Sequence, residues 1–151
     1  MTTDVAVIEE VFAKVALLDR LTPSQRRRLA RLATTRSFRE GTVIVRQGDT
    51  SMALYVLLSG RVRIEKRSEQ GSTVEIDQVG RGGFFGEMGL IDDVPRSATV
   101  VALESTECAL LARWDFQTEL REDPYIALAL LPVLNQRIRS LQEQLASARS
   151  G

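Results

Sequence analysis

Histidine is absent from the 151-residue sequence, and cysteine occurs once, as Cys108. The absence of histidine excludes Ser-His and Cys-His nucleophile systems and every histidine-ligated metal centre. A single cysteine excludes an intrachain disulfide and any CxxC zinc or redox motif. The sequence therefore argues against the common hydrolytic, metal-dependent and thiol-based activities, and it predicts a protein that is not an enzyme and binds no metal.

An excess of either charge is also missing, because 20 basic residues balance 20 acidic ones. Domains that coat nucleic acid usually carry a strong basic excess, so the run Arg26-Arg27-Arg28 is interpreted as a solvated helix face. No run approaches the roughly 20 apolar residues that cross a bilayer. The N-terminus lacks the positive start of a secretory signal. These absences predict a cytoplasmic protein without a membrane partner.

The composition itself is ordinary for a globular protein, with 44% hydrophobic and 26% charged residues over a length typical of one domain. Residues 4–33 have the apolar spacing of helices, and Thr22-Pro23 has the cap-then-proline start of a second helix. Residues 114–145 are helical in pattern again, with Asp123-Pro124 starting a long terminal helix. Pro132 predicts a kink or a split inside that helix.

Between these helices, residues 36–112 consist of short β-type runs separated by glycine turns. Many short strands at this spacing are typical of a sandwich, roll or small barrel. The sequence predicts one α+β domain over residues 1–151, an antiparallel, jelly-roll-like β-roll flanked by N-terminal helices and a long C-terminal helix. The predicted strands are Thr42–Arg46, Leu54–Leu58, Val62–Lys66, Thr73–Val79, Ala98–Ala102 and Cys108–Leu111.

The segment 82–100 carries the chemical information, because it interrupts the β-rich zone with glycines and a one-turn helix pattern. Glycines let a backbone approach an anion closely, and a helix N-terminus offers N–H groups to it. A guanidinium such as that of Arg96 grips a phosphate through two parallel hydrogen bonds, and a carboxylate such as that of Glu87 accepts hydrogen bonds from sugar hydroxyls. The two residues predict a ligand with a phosphate and a ribose; the alternative is an ion pair between them that ties a loop to the sheet.

At these residues the sequence closely resembles the cyclic nucleotide-binding domain family, which includes catabolite-activator-type regulators, regulatory subunits of cAMP-dependent kinases and gated ion channels. The resemblance covers roughly residues 10–145. It is carried by the phosphate-binding cassette Phe85-Gly86-Glu87-Met88-Gly89-Leu90-Ile91 continuing to Pro95-Arg96-Ser97-Ala98-Thr99-Val100, by Val45–Asp49, by Leu54–Val62 and by the final helix.

The resemblance implies a role for each matching residue. Glu87 would accept the ribose 2′-hydroxyl, and Arg96 would pair with the cyclic phosphate. The remaining residues that the resemblance places at the ligand fall into three groups: the cassette residues Gly86, Met88, Gly89, Ser97 and Ala98 around the phosphate; the apolar wall Ile64, Ile76 and Phe85; and Arg137, Leu141 and Gln142 of the terminal helix, which would touch or cover the base.

The resemblance further implies a regulatory binding module whose ligand is a cyclic nucleotide, with no cofactor. Ser97 stands where threonine tends to accompany cGMP in the family, so it favours cAMP without excluding cGMP. Nothing after Leu145 is long enough to form a helix-turn-helix domain, so direct DNA binding is not expected. The terminal helix would shift on binding and relay occupancy to an unknown effector protein or domain.

An apolar stripe on the terminal helix, formed by Leu134, Ile138, Leu141 and Leu145, predicts a homodimer through that helix. A helix packed only on its own β-roll is the alternative for the stripe. For the protein as a whole, the alternative function is a scaffold or dimerisation domain that keeps this fold with a vestigial pocket.

Overall fold

The computed structural model describes residues 4–150, apart from the side chains of Met88, Ile91 and Ser150. Five α-helices occur within this range: α1 (Val5–Phe12), α2 (Pro23–Leu32), α3 (Met88–Ile91), α4 (Arg113–Glu122) and α5 (Tyr125–Ser150). A 3-10 turn, Ala16–Leu18, follows α1. None of the described helices is both long and apolar enough to cross a membrane.

The start of α2 follows the sequence prediction closely. Thr22 caps it, accepting a hydrogen bond from the backbone N–H of Gln25, whose side chain in turn accepts from the backbone N–H of Thr22. The first helix is shorter than its apolar spacing predicts. It ends at Phe12 because Val15 takes up an extended backbone with φ −79° and ψ 121°. Val15 nevertheless remains buried, because the following turn keeps it against the core.

In the described part of the chain, eight strands form two antiparallel four-stranded sheets, which confirms the predicted β-roll. One sheet has the order β1-β8-β3-β6, and the other has the order β2-β7-β4-β5. The strands are β1 (Thr34–Phe38), β2 (Val43–Val45), β3 (Ala53–Ser59), β4 (Val62–Arg67), β5 (Thr73–Val79), β6 (Phe84–Phe85), β7 (Thr99–Ala102) and β8 (Thr106–Ala112).

Strand β3 joins two hydrophobic clusters because its side chains alternate between the faces of the sheet. Leu54 and Val56 point into a cluster shared with the helices, which includes Phe12 and Phe116. Tyr55 and Leu57 point into a second cluster inside the roll. Because both faces of β3 are buried, its sequence is continuously apolar and does not alternate between apolar and polar residues.

Cys108 lies in the second cluster, fully buried. Burial disfavours the thiolate and, together with the neighbouring Glu107 carboxylate, raises the pKa of Cys108 to about 12. This thiol is therefore protonated at neutral pH and serves the packing of the sheet.

Helix α5 begins one residue after Pro124, where the backbone N–H of Tyr125 donates to the Asp123 carboxylate at 3.2 Å. It continues without interruption to Ser150, so of the two outcomes predicted for Pro132, a kink or a split, the split is wrong. Proline removes the hydrogen bond to the carbonyl four residues earlier, that of Leu128. Leu128 and Pro132 are both exposed, so water reaches the freed carbonyl and the helix continues.

Candidate functional site

A cavity of about 480 Å³ lies between the second sheet, the segment that contains α3, and α5. The second sheet and the loop between α3 and β7 form its walls, and one residue of α5 closes one side. The lining residues are Val45, Ser51, Ile64, Ile76, Asp77, Val79, Phe84, Phe85, Gly86, Glu87, Gly89, Val94, Pro95, Arg96, Ser97, Ala98, Val100 and Arg137.

Arg96 is a buried charge on the wall of this cavity, with 8% of the residue exposed. Its Nη2 donates to the carbonyl of Ala53 at 3.0 Å, and its guanidinium lies 5.3 Å from the centre of the Tyr55 ring. Tyr55 stacks on Phe85 with ring centres 4.9 Å apart. These contacts hold the guanidinium in one orientation at the wall of the cavity.

Within the described residues, Nη1 of Arg96 is buried and has no hydrogen-bond partner. Burial lowers the pKa of Arg96 from its usual value, while Tyr55 and Glu87 oppose that shift. An arginine stays protonated in proteins even so, and a buried donor on a cation is costly to leave unpaired. The arrangement is suited to an anion that enters the cavity and accepts from Nη1.

The backbone around Arg96 is fixed by two hydrogen bonds to the turn before β3. The N–H of Arg96 donates to the carbonyl of Asp49 at 2.7 Å, and the N–H of Gly48 donates to the carbonyl of Arg96 at 2.8 Å. The turn and Arg96 are about 50 residues apart in the chain, and this pairing sets where the guanidinium enters the cavity.

Gly86 provides the space that the guanidinium occupies. A Cβ at this position would lie 2.0 Å from Nη1 of Arg96 and 2.8 Å from the carbonyl oxygen of Ala53. The backbone has φ +85°, a conformation that residues with a side chain rarely adopt. Glycine is therefore required here on two independent grounds.

Glu87 follows at once and is also buried, with 9% of the residue exposed. Its Oε1 forms an ion pair with Nη1 of Arg137, which α5 carries. No ion pair joins Glu87 to Arg96 within the described residues. The structure therefore lacks the ion pair that was the alternative interpretation of these two residues. Oε2 of Glu87 makes no further hydrogen bond in the same part of the chain and remains available.

The cavity brings together most of the residues that the sequence placed at a ligand. Leu141 and Gln142 do not line it, since they lie a turn beyond Arg137 on the exposed part of α5. The side chain of Met88 lies outside the described residues. The predicted residues that do line the cavity are Ile64, Ile76, Phe85, Gly86, Glu87, Gly89, Arg96, Ser97, Ala98 and Arg137.

Two polar lining residues, Ser51 and Asp77, were missed by the sequence analysis. Ser51 lies beneath α3, where a Cβ on Gly89 would meet its Oγ at 1.9 Å. Asp77 lies on β5 beside Ile76, and both of these neighbours line the cavity. Strict strand alternation would place only one of them there, so no local pattern signals Asp77.

Comparison with known proteins gives a family match. The model of the cyclic nucleotide-binding domain family matches residues 35–123. The cyclic AMP receptor protein of Thermus thermophilus is 37% identical over 110 residues, which are 73% of this chain and 51% of that protein. A cAMP-dependent protein kinase regulatory subunit of Mucor circinelloides is 34% identical over 108 residues, 72% of this chain and 25% of that protein.

Among solved structures, the N-terminal domain of a transcriptional regulator from Streptomyces coelicolor A3(2) superposes with a TM-score of 0.80 at 28% identity. The superposition covers 88% of this chain and 95% of that domain. The matched part of the chain spans about half of the length of the first of the two curated relatives and a quarter of the length of the second.

The geometry around Gly86 predicts a specific pattern of stability. Gly86→Ala should destabilise the fold by about 1–3 kcal/mol more than Gly71→Ala, measured as the free energy of unfolding in urea. Gly71 is the matched control because its φ is +87° and a Cβ there would meet nothing within 4 Å. Both variants strain the backbone, but only Gly86→Ala displaces Arg96. Equal destabilisation would contradict the proposed close packing of Gly86 on the guanidinium.

Proposed function

The chain belongs to the cyclic nucleotide-binding domain family, and from this premise we propose that it senses a cyclic purine nucleotide and passes occupancy through α5 to an effector. We assign cAMP as the ligand ahead of cGMP, and we assign no enzymatic activity to this module. The effector is a further protein, or a further domain of a longer polypeptide, since the relatives extend well beyond the matched region.

The observation that carries this proposal is the unpaired Nη1 of Arg96, buried on the wall of the cavity. A buried donor without a partner costs about 1–3 kcal/mol, and more when it is charged, so an anionic ligand that accepts from it would gain that free energy on binding. A cyclic phosphate has two exocyclic oxygens that suit a planar guanidinium. The cavity volume of about 480 Å³ lies in the range of small-molecule sites.

The other polar groups suit the rest of a nucleotide. Oε2 of Glu87 is free to accept the ribose 2′-hydroxyl while Oε1 keeps its ion pair with Arg137. Ser97 and Ala98 line the phosphate end next to Arg96, and Ile64, Ile76 and Phe85 give an apolar surface for the base. The preference for cAMP rests on Ser97 and on relatives whose names specify cAMP.

Helix α5 is suited to report occupancy because its two halves differ. Its first half packs on the domain through the buried Ile126 and Leu130, whereas Ile138, Leu141 and Leu145 are each more than half exposed. Arg137 lies between these halves and contacts Glu87 in the cavity. A ligand that uses Glu87 and Arg137 together would favour one position of the helix, and differential affinity is what shifts such an equilibrium.

Calorimetric titration with cAMP tests the binding site. Arg96→Ala should weaken binding about 30-fold or more, because truncating one partner of a desolvated charge-assisted contact typically costs 2–5 kcal/mol. Arg96→Lys should not restore affinity, since an ammonium lacks the planar fork. Circular dichroism of both variants confirms folding. Unchanged affinity in a folded Arg96→Ala variant would contradict the proposal.

Glu87→Gln supplies the companion measurement in the same titration. Its loss of affinity should be smaller for 2′-deoxy-cAMP than for cAMP, because the deoxy ligand has no 2′-hydroxyl to lose. An equal loss for the two ligands would show that Glu87 acts elsewhere.

Hydrogen exchange tests the relay. Addition of cAMP should slow exchange across residues 133–145 in the wild type and in Arg139→Ala, and this slowing should disappear in Arg137→Ala. Arg139 is the control because it carries the same charge on the same helix and does not line the cavity. In the calorimetric titration, truncation of the chain after Pro132 should weaken the binding of cAMP, because it removes Arg137. Protection confined to the segment 85–98 would contradict a relay through α5.

The exposed stripe on α5 supports a homodimer through this helix, since a monomer leaves Ile138, Leu141 and Leu145 in water. Light scattering at high micromolar concentration should give the mass of a dimer. Leu145→Glu should reduce the measured mass to that of a monomer. Ser140→Glu adds the same charge outside the stripe and should leave the dimer intact. A monomeric wild type, with and without nucleotide, would instead support a helix that packs only on its own domain.

A further inference from the structure

Three residues on neighbouring strands of the second sheet form one row across the wall of the cavity. Val100 of β7 is paired with Ile64 of β4, and Ile64 is paired with Asp77 of β5. All three line the cavity. Side chains of directly paired residues lie on the same face of a sheet, so the row places the Asp77 carboxylate on the cavity face.

A β-bulge brings Asp77 and its neighbour to the same cavity. The pairing of β4 with β5 shifts between Ile64 and Glu65, which face Asp77 and Glu75 respectively, and this leaves Ile76 as the extra residue of β5. A bulge interrupts alternation and re-aims a side chain. Ile76 and Asp77 consequently both line the cavity, an apolar surface followed directly by an acceptor.

Asp77 lies at the opposite end of the cavity from the phosphate-binding groups. Ser97 and Ala98 directly precede β7, and Asp77 lies two strands away on the edge strand β5. Two strand spacings amount to roughly 10 Å. A nucleotide with its phosphate on Arg96 and its ribose on Glu87 therefore directs its base towards β4 and β5.

Of the two carboxylates that line the cavity within the described residues, that of Glu87 has an ionic partner and that of Asp77 has none. Glu87 is paired with Arg137, and Arg96 donates to the carbonyl of Ala53. Oδ1 of Asp77 accepts only from the backbone N–H of Gln78, at 2.8 Å. Within residues 4–150, Oδ2 has no hydrogen bond and the carboxylate has no ion pair. A free acceptor thus faces the position of the base.

We infer that Asp77 is a specificity-determining residue that accepts hydrogen bonds from the N–H groups of the purine base and favours guanine over adenine. This inference rests on the proposed function. Guanine presents its N1–H and its 2-amino group side by side, which matches the two oxygens of a carboxylate. Adenine presents the lone pair of N1 beside its 6-amino group on the same edge, so the repulsion between that lone pair and the carboxylate offsets the one hydrogen bond that the amino group can donate.

Asp77 and Ser97 then act in opposite senses. Ser97 favours cAMP, whereas Asp77 raises the affinity for cGMP. Asp77 therefore reduces the difference between the affinities of the protein for the two nucleotides. Because Asp77 is largely exposed on the edge strand, solvent screens its contribution and the effect is modest.

The test is a titration of the full chain and its Asp77→Ala variant with cGMP, cAMP and cyclic inosine monophosphate, whose base keeps N1–H and lacks the 2-amino group. Asp77→Ala should weaken cGMP binding about threefold to tenfold, cyclic inosine monophosphate less, and cAMP not at all. Asp77→Asn keeps the shape of the side chain and loses its charge, so its affinity for cGMP should lie between those of the wild type and Asp77→Ala. Glu75→Ala is the matched control, since it removes the same charge from β5 at a residue that does not line the cavity.

The graded order of the three ligands is the result that supports the inference. Equal changes for all three ligands, or the same changes in Glu75→Ala, would show a general charge effect and overturn it. Unaltered affinities in Asp77→Ala would also overturn it while leaving the nucleotide site in place. A wild type that binds none of the three would overturn the proposed function and this inference together.

Discussion

The burial of one guanidinium governs the construction of the site. Arg96 is held from below by the Tyr55 ring and from the side by the carbonyl of Ala53, and one of its nitrogens remains unpaired. Burying a charge is costly unless its hydrogen bonds are satisfied, so the surrounding structure must both impose that position and leave room for an anion. Gly86 supplies the room, because any side chain there would occupy the place of Nη1.

The rigidity that keeps Arg96 in place comes from β3 at the centre of the molecule. Its alternate side chains pack against the helices on one face and inside the roll on the other. Ala53 and Tyr55, two of the residues that hold Arg96, belong to this strand. The Arg96 end of the cavity is therefore attached to a strand that is buried on both faces, and dense interiors shift little.

The opposite end of the cavity is built differently, from the edge strand β5 and from α5, and both are largely exposed. Glu87 joins this end to the rigid part, since it follows Gly86 in the chain and pairs with Arg137 of α5. A cavity with one end anchored in the core and the other end built from exposed elements is the arrangement that the proposed ordering of α5 by a ligand requires. Edge strands and partly packed helices open more readily than core strands.

Local sequence determined much of this protein. Residues near each other in the chain set the capping box at Thr22 and the bounds of β5, and they place Glu87 and Arg96 in one glycine-rich segment that lines the cavity. Tertiary structure decided what depends on distant partners. Strand β6 is only two residues long and exists through its pairing with β3, and Arg137 meets Glu87 across 50 residues of chain. The bulge that aims Asp77 into the cavity arises from the register of two strands, and side-chain periodicity within one strand carries no information about that register.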